Sequence, residues 1–211
     1  MTKSKSMAVL GIFGAIIFLL AFTPLGFIPL PFVRATTVHI PVIIGAIFLG
    51  PKHGAILGFL FGVTSFLIAT FQPFPTSFVF SPFVPVFGSE HGSPWALLIA
   101  FVPRIFVGVV PYYVYKLLQR VIGKKLKVVS LAVAGVAGSM TNTLLVMGGI
   151  FLLFSDPWTL ARGESVGAAQ AAITGIIVGV GIPEAIVAGV LVAAIGSALG
   201  VALRGSYGDA E

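Results

Sequence analysis

The chain has 211 residues, of which 58% are hydrophobic and 9% charged, with a formal charge of +6 and no cysteine. Charged side chains this scarce cannot clothe a water-facing globule, which excludes a soluble protein, and the missing thiols exclude a disulfide framework and a thiolate metal site or nucleophile. The basic excess does not point to nucleic acid, because the positive residues gather at the ends of apolar runs, as membrane topology requires.

Apolar stretches able to cross a hydrocarbon core of ~30 Å predict an all-α integral membrane protein. Six transmembrane helices are expected, at approximately 7–26, 36–50, 53–72, 94–119, 128–154 and 169–203, in a single domain over 1–211. Lys3 and Lys5 precede the first run, Met7 to Phe22. A signal peptide is rejected, because five more apolar segments follow and the exit is rich in Pro and Phe with no small-x-small cleavage site. Ala8, Gly11 and Ala15 share one face of this helix through i, i+3, i+7 spacing. That smooth face suits docking of another membrane protein or packing within the bundle, and the spacing alone leaves both open.

The second segment has a short clean core, Val38 to Gly50, which would also fit a re-entrant loop. Charge decides for a crossing. With six spans and both termini cytoplasmic, the inner face receives Lys3, Lys5, Lys52, Lys116, Arg120, Lys124, Lys125, Lys127 and Arg204, and the outer face only Arg34 and Arg162. Were segment two not to cross, the cluster from Lys116 to Lys127 would fall outside, against the positive-inside bias. Segments two and three join at a tight Gly50-Pro51-Lys52 turn, whereas the outer connections, Thr23 to Ala35, Gln72 to Pro94 and Ser155 to Ala168, are long. The first two are rich in Pro and Phe, which suits a lid over the bundle mouth or an interfacial aromatic belt. Gly54, Gly58 and Gly62 in segment three, and Gly175, Gly179, Gly196 and Gly200 in segment six, offer small-residue stripes for close helix packing.

Ionised groups inside a span are expensive and normally face a partner or a cavity. Arg104 lies nine residues below Trp95, Asn142 twelve below Phe154, and Glu184 about fourteen below the start of segment six. At ~1.5 Å per residue these depths are roughly 14, 18 and 21 Å, so three helices bring a cation, an amide and an anion to one level. They form either an Arg104–Glu184 ion pair with Asn142 as interhelical glue, or a substrate pocket in which Arg104 offers a forked donor to a carboxylate. Pro103 and Pro183 precede two of the three and free a backbone carbonyl one turn earlier, as cavity-lining helices tolerate. His39 starts segment two beneath the first outer loop and is a further ligand-contact candidate, as is Thr64, although Thr64 and Ser65 can equally bond back to their own helix. Trp95 and Trp158 read as interfacial anchors, and Trp95 at the mouth can also stack on substrate. Glu90 and His91 read as a solvated loop tip.

There is no G-x-x-x-x-G-K-[ST] loop, no H-E-x-x-H, and only three scattered histidines. The expectation is a protein with no catalytic residue, no metal site and no cofactor of its own. No inverted repeat with matching broken helices is visible, which disfavours a stand-alone secondary transporter.

The runs from Ala35 to Lys52, from Gly58 to Phe66 and from Phe101 to Gly108 resemble the substrate-binding S components of energy-coupling factor (ECF) transporters, most of all the pantothenate-specific group. The resemblance covers nearly the whole chain. It implies a six-helix S-component fold in the bacterial cell membrane, with an outward-opening vitamin pocket. It also implies partners: a transmembrane coupling protein and two ABC ATPases, which would use the ATP. The family's first helix carries an A-x-x-x-A docking pattern, whose nearest counterpart here is Gly11-x-x-x-Ala15 with Ala8. Arg104 favours pantothenate, an anion, whereas Glu184 and Asn142 would suit a neutral aminopyrimidine such as hydroxymethylpyrimidine. A small-solute channel or membrane scaffold is the reading from another class, and it would set polar residues along a path rather than at one level.

Overall fold

The computed structural model describes residues 3–29, 34–123 and 126–208; Lys124 and Lys125 of the basic cluster lie outside them. The fold is helical apart from one small ribbon. Helix α1 (Lys3–Ala21) leads into strands β1 (Phe27–Pro29) and β2 (Arg34–Thr36), which pair antiparallel with Phe27 opposite Thr36. Then come α2 (His39–Leu49), α3 (Pro51–Phe71), a single 3₁₀ turn (Ser77–Val79), α4 (Trp95–Val107) and α5 (Val110–Val121). Helix α6 (Lys127–Ala161), α7 (Ala169–Ile176), a π turn (Ile177–Gly181) and α8 (Ile182–Gly208) complete the chain.

Among the described residues, five stretches are long and apolar enough to cross a membrane: 4–21, 51–71, 95–121, 127–161 and 169–200. Leu19, Leu152 and Val190 are among many large apolar side chains exposed on their surfaces. Water would not tolerate such a surface, but acyl chains do. The second predicted span is corrected to an 11-residue helix. At ~1.5 Å per residue it is about 16 Å long, roughly half a hydrocarbon core. It is compensated by position, since residues 39–47 are all buried. Gly50, at φ 92°, then reverses the chain in a conformation that L side chains rarely adopt, and Pro51 opens α3.

The fourth predicted span is in fact two helices, broken at Gly108–Val109 just before Pro111, which has no amide to donate to the Val107 carbonyl four positions back. The last two predicted spans run on further, to Ala161 and Gly208, each with an irregularity. Helix α6 kinks at Phe154 (φ −142°, ψ 22°), three residues before Pro157, whose ring crowds the carbonyl four positions back. The π turn inserts one extra residue between α7 and α8, with the Ile182 amide donating to the Ile177 carbonyl five positions back.

Packing follows the glycine stripe of α3. A side chain at Gly54 would strike the Gly108 carbonyl, one at Gly58 the Arg104 carbonyl, and one at Gly62 the Phe101 ring. Helices α3 and α4 therefore touch backbone to backbone. Two apolar cores result. One gathers Ile17, Ile43, Phe61, Val107, Leu131 and Val192; the other gathers Phe78, Ile99, Ile150, Phe154, Trp158 and Ile176.

Gly58→Leu should force α3 from α4 and lower stability by ~3 kcal/mol, the upper range for an overpacked contact. Gly11→Leu, where an added side chain meets nothing within 4 Å, should stay within ~0.5 kcal/mol of the parent. Thermal unfolding of the purified variants in detergent checks both.

Candidate functional site

The two apolar cores leave a polar layer between them, and each of three helices passes one polar residue through it. On α4, Arg104 lies between Ile99 of one core and Val107 of the other; on α6, Asn142 lies between Val146 and Ala134; after the π turn, Glu184 lies between Ile176 and Ala188. All three line one cavity of about 110 Å³. The cavity also has an apolar side, made by Val146, Met147, Ile150, Trp158, Ile176 and Val180.

Proline sets the geometry of Arg104. Pro103 has no amide hydrogen, so the Ile99 carbonyl four residues back loses its helical donor. Arg104 fills that vacancy, Nη1 donating to Ile99 O at 2.7 Å. The guanidinium is then gripped between two rings, its Cζ 4.7 Å from the Phe80 centroid and 5.4 Å from the Phe61 centroid, a favourable placement over π-faces. Its Nε has no hydrogen-bond partner among the described residues, although it is buried. Arg104 and Glu184 do not meet in an ion pair.

Glu184 is held from another direction. Its Oε1 accepts the backbone amide of Thr36, at the end of β2, at 2.9 Å, and His39 Nδ1 stands 3.7 Å from the same oxygen. Thr36 Oγ1 in turn accepts the Val38 amide at 3.3 Å. The ribbon and the short helix thus end in non-helical backbone deep in the bundle, a location tolerated where protein or a cavity surrounds it.

The segment after α3 forms the cover. Phe74, Thr76, Ser77, Val79 and Phe80 all line the cavity. The turn is fastened by the Phe74 amide on Ser77 Oγ at 2.8 Å and by a 2.8 Å hydroxyl contact between Ser81 and Thr70 of α3. Of the two sequence readings of this loop, a lid or an interfacial belt, its first half has the geometry of a lid. The tip at Glu90 and His91 is exposed.

Other sequence candidates fall elsewhere. His39 is buried behind Glu184 and is not part of the lining. Thr64 bonds back to the Phe61 carbonyl at 2.8 Å, while its neighbour Ser65 lines the cavity with its hydroxyl unpartnered among the described residues. Trp95 is 56% exposed at the start of α4 and lies outside the lining; Trp158, 1% exposed, is the indole at the cavity. Its outer face carries Arg162, 4.6 Å from the ring and bonded to Glu164 at 2.8 Å. Thr36, Thr76, Ser77, Phe80 and Thr143 are lining residues that sequence reasoning passed over, and Ser65 and Trp158 are ones it gave to a helix-internal bond and to the interface. One signal was available: Pro157 precedes Trp158 as Pro103 precedes Arg104 and Pro183 precedes Glu184. Away from the cavity, Ala8, Gly11 and Ala15 are all exposed along α1, the least buried of the five long stretches.

A helical bundle with an apolar surface, enclosing a cavity with a fixed cation, a carboxylate, an amide, hydroxyls and an apolar wall, defines a membrane protein that binds a small polar solute. Residues 5–196 match the family described as ECF transporter, substrate-specific component, and the chain belongs to that family. It is therefore the substrate-binding component of a transporter. It is also 44% identical to the pantothenic acid transporter PanT of Lactococcus lactis subsp. cremoris (strain MG1363) over 190 residues, covering 88% of this chain and 93% of the relative.

The chain has two tryptophans, and only Trp158 faces the cavity. Saturating the protein with its cargo should change tryptophan emission in the parent and in Trp95→Phe, and leave Trp158→Phe almost unresponsive. A fluorescence titration of the three proteins reads this directly.

Proposed function

We propose that this S component captures pantothenate at the outer face of a bacterial cell membrane for an ABC-type importer. The observation that carries the reading is Arg104: a buried guanidinium fixed at the cavity with Nε still unpartnered. Such a group has donors to offer a carboxylate. Asn142 Oδ1 and Ser65 Oγ are also buried without a partner, and they suit the amide and hydroxyls of the same ligand. The apolar wall suits its dimethyl carbon. The similarity to the lactococcal pantothenic acid transporter supports the same cargo. A neutral aminopyrimidine would bring no carboxylate to accept the free Arg104 donor.

In this reading the whole chain is one transmembrane domain that crosses six times, with both termini cytoplasmic. The 11-residue α2, preceded by the ribbon, completes the second crossing. The lid and the ribbon then face outward, and the turn at Gly50 and the basic α5–α6 loop face inward, where positive charge is favoured. His39 acts on the ligand through Glu184, Thr64 supports the wall beside Ser65, and Trp95 anchors the mouth. The exposed face of Ala8, Gly11 and Ala15 docks the transmembrane coupling protein. Two ABC ATPases bound to that protein use the ATP, and this chain carries no cofactor.

Arg104→Ala should weaken pantothenate binding about 100-fold, in line with the 2–5 kcal/mol typical of truncating a buried charged partner, with an unchanged elution profile. Equal affinity in parent and variant, measured by isothermal titration calorimetry, would remove Arg104 from the site. Separately, Gly11→Leu and Ala15→Leu should abolish uptake by cells or proteoliposomes containing the full module, and leave binding by the isolated protein intact. Loss of binding instead would assign that face to internal packing.

A further inference from the structure

We propose that capture of the anionic cargo is coupled to uptake of one proton, which is held by the His39–Glu184 pair behind the cavity wall. The inference rests on the anionic ligand of the preceding section and adds a co-substrate to it. It starts from a count of charge. Arg104 is a permanent cation, and Glu184, as a carboxylate on the same cavity, balances it. Among the described residues no other Asp, Glu, Lys, Arg or His lines the cavity. The empty site is therefore neutral as a whole.

An arriving carboxylate makes that sum negative by one. A net charge at mid-membrane depth, away from bulk water and counter-ions, is strongly disfavoured. A proton from the solvent restores neutrality, and the structure supplies one place for it beside the cavity. His39 is 1% exposed and stands 3.7 Å from Glu184 Oε1, and both of its ring nitrogens lack a hydrogen-bond partner among the described residues.

Among the described residues, the other polar groups on the cavity offer no competing acceptor. Arg104 of α4 is already protonated; α3 and α6 contribute Ser65, Asn142 and Thr143, which do not titrate; β2 contributes the Thr36 amide, which already donates to Glu184. Once a proton joins the pair, imidazole N–H to carboxylate becomes a charge-assisted contact after a closure of well under 1 Å. The pair is then neutral as a unit. Arg104 is left as the one net charge on the cavity, complementary to one carboxylate.

The test is calorimetry of pantothenate binding to the purified protein at neutral pH in phosphate, HEPES and Tris, whose ionisation enthalpies differ. Plotting observed heat against buffer ionisation enthalpy should give a slope of about one proton taken up per ligand, and affinity should weaken by up to about tenfold per pH unit as pH rises. Glu184→Gln removes the internal anion, so the cargo alone balances Arg104 and the slope should fall to about zero. His39→Gln should also bring the slope to about zero, with weakened binding. A parent slope of zero with intact binding would overturn the coupling and leave the cargo assignment standing. No binding heat or affinity for pantothenate would instead overturn the cargo assignment. A slope near one in Glu184→Gln, or one that persists in His39→Gln, would overturn the pair as the proton's holder.

Discussion

A guanidinium buried inside an apolar helical bundle has to be held by something, and here the holder is a carbonyl that a proline has left without a donor. Pro103 cannot bond to Ile99 O, and the next residue, Arg104, reaches back to do so. The arrangement satisfies an orphan acceptor and fixes the cation with the same contact. It also depends on the neighbours of α4. The Arg104 carbonyl lies against Gly58 so closely that any side chain there would collide, so the backbone carrying the cation is seated directly on α3. Phe61 of α3 and Phe80 of the lid then close on the two sides of the guanidinium. Lid, helix packing and binding group are thus one construction.

The opposite wall solves a related problem by another route. Pro183 removes the donor that would meet the Gly179 carbonyl, and the chain answers with the π turn at Ile177–Gly181. Its effect appears in the burial pattern. Buried positions in α7 are Ala169, Ile173 and Ile176, and a continuous α-helix would carry that stripe on through 180, 183 and 187. Instead Gly181, Ala185, Ala188 and Val192 are buried, a shift of one position. That rotation turns Pro183 outward and sets Glu184 where the amide of Thr36 can reach it.

Much of this plan was legible because the costs of burying polarity in hydrocarbon are large and simple. Long apolar runs, the glycine stripe of α3 and the common depth of Arg104, Asn142 and Glu184 all follow from rules about single helices. What escaped was decided between elements. The short core of α2 was visible, but composition could not say how it is used, since Val38 to Gly50 is apolar whether it crosses whole or plugs a centre already surrounded by other helices. Ser65 and Thr64 are adjacent and chemically alike, and only the rotation of α3 against α4 decides which one bonds to its own helix and which meets the cavity. The two tryptophans exchange roles for a comparable reason. Trp158 follows the kink at Phe154 and Pro157 and is buried at the cavity, while Trp95, on the first turn of α4, stays outside.

The cavity and the exposed face of α1 are separate in space, yet they are joined by little material. None of the described residues of α1 lines the cavity. Phe13 and Ile17 on its inner side pack in the same core as Ile40, Val42 and Ile43 of α2. The first residue of α2 is His39, against Glu184, and Thr36 just before it bonds the same carboxylate. Between α1 and that carboxylate stands an 11-residue helix, buried over residues 39–47, with a glycine turn at one end and a two-strand ribbon at the other. One short helix thus carries an unbroken line of contacts from the surface helix α1 to the carboxylate that closes one wall of the site.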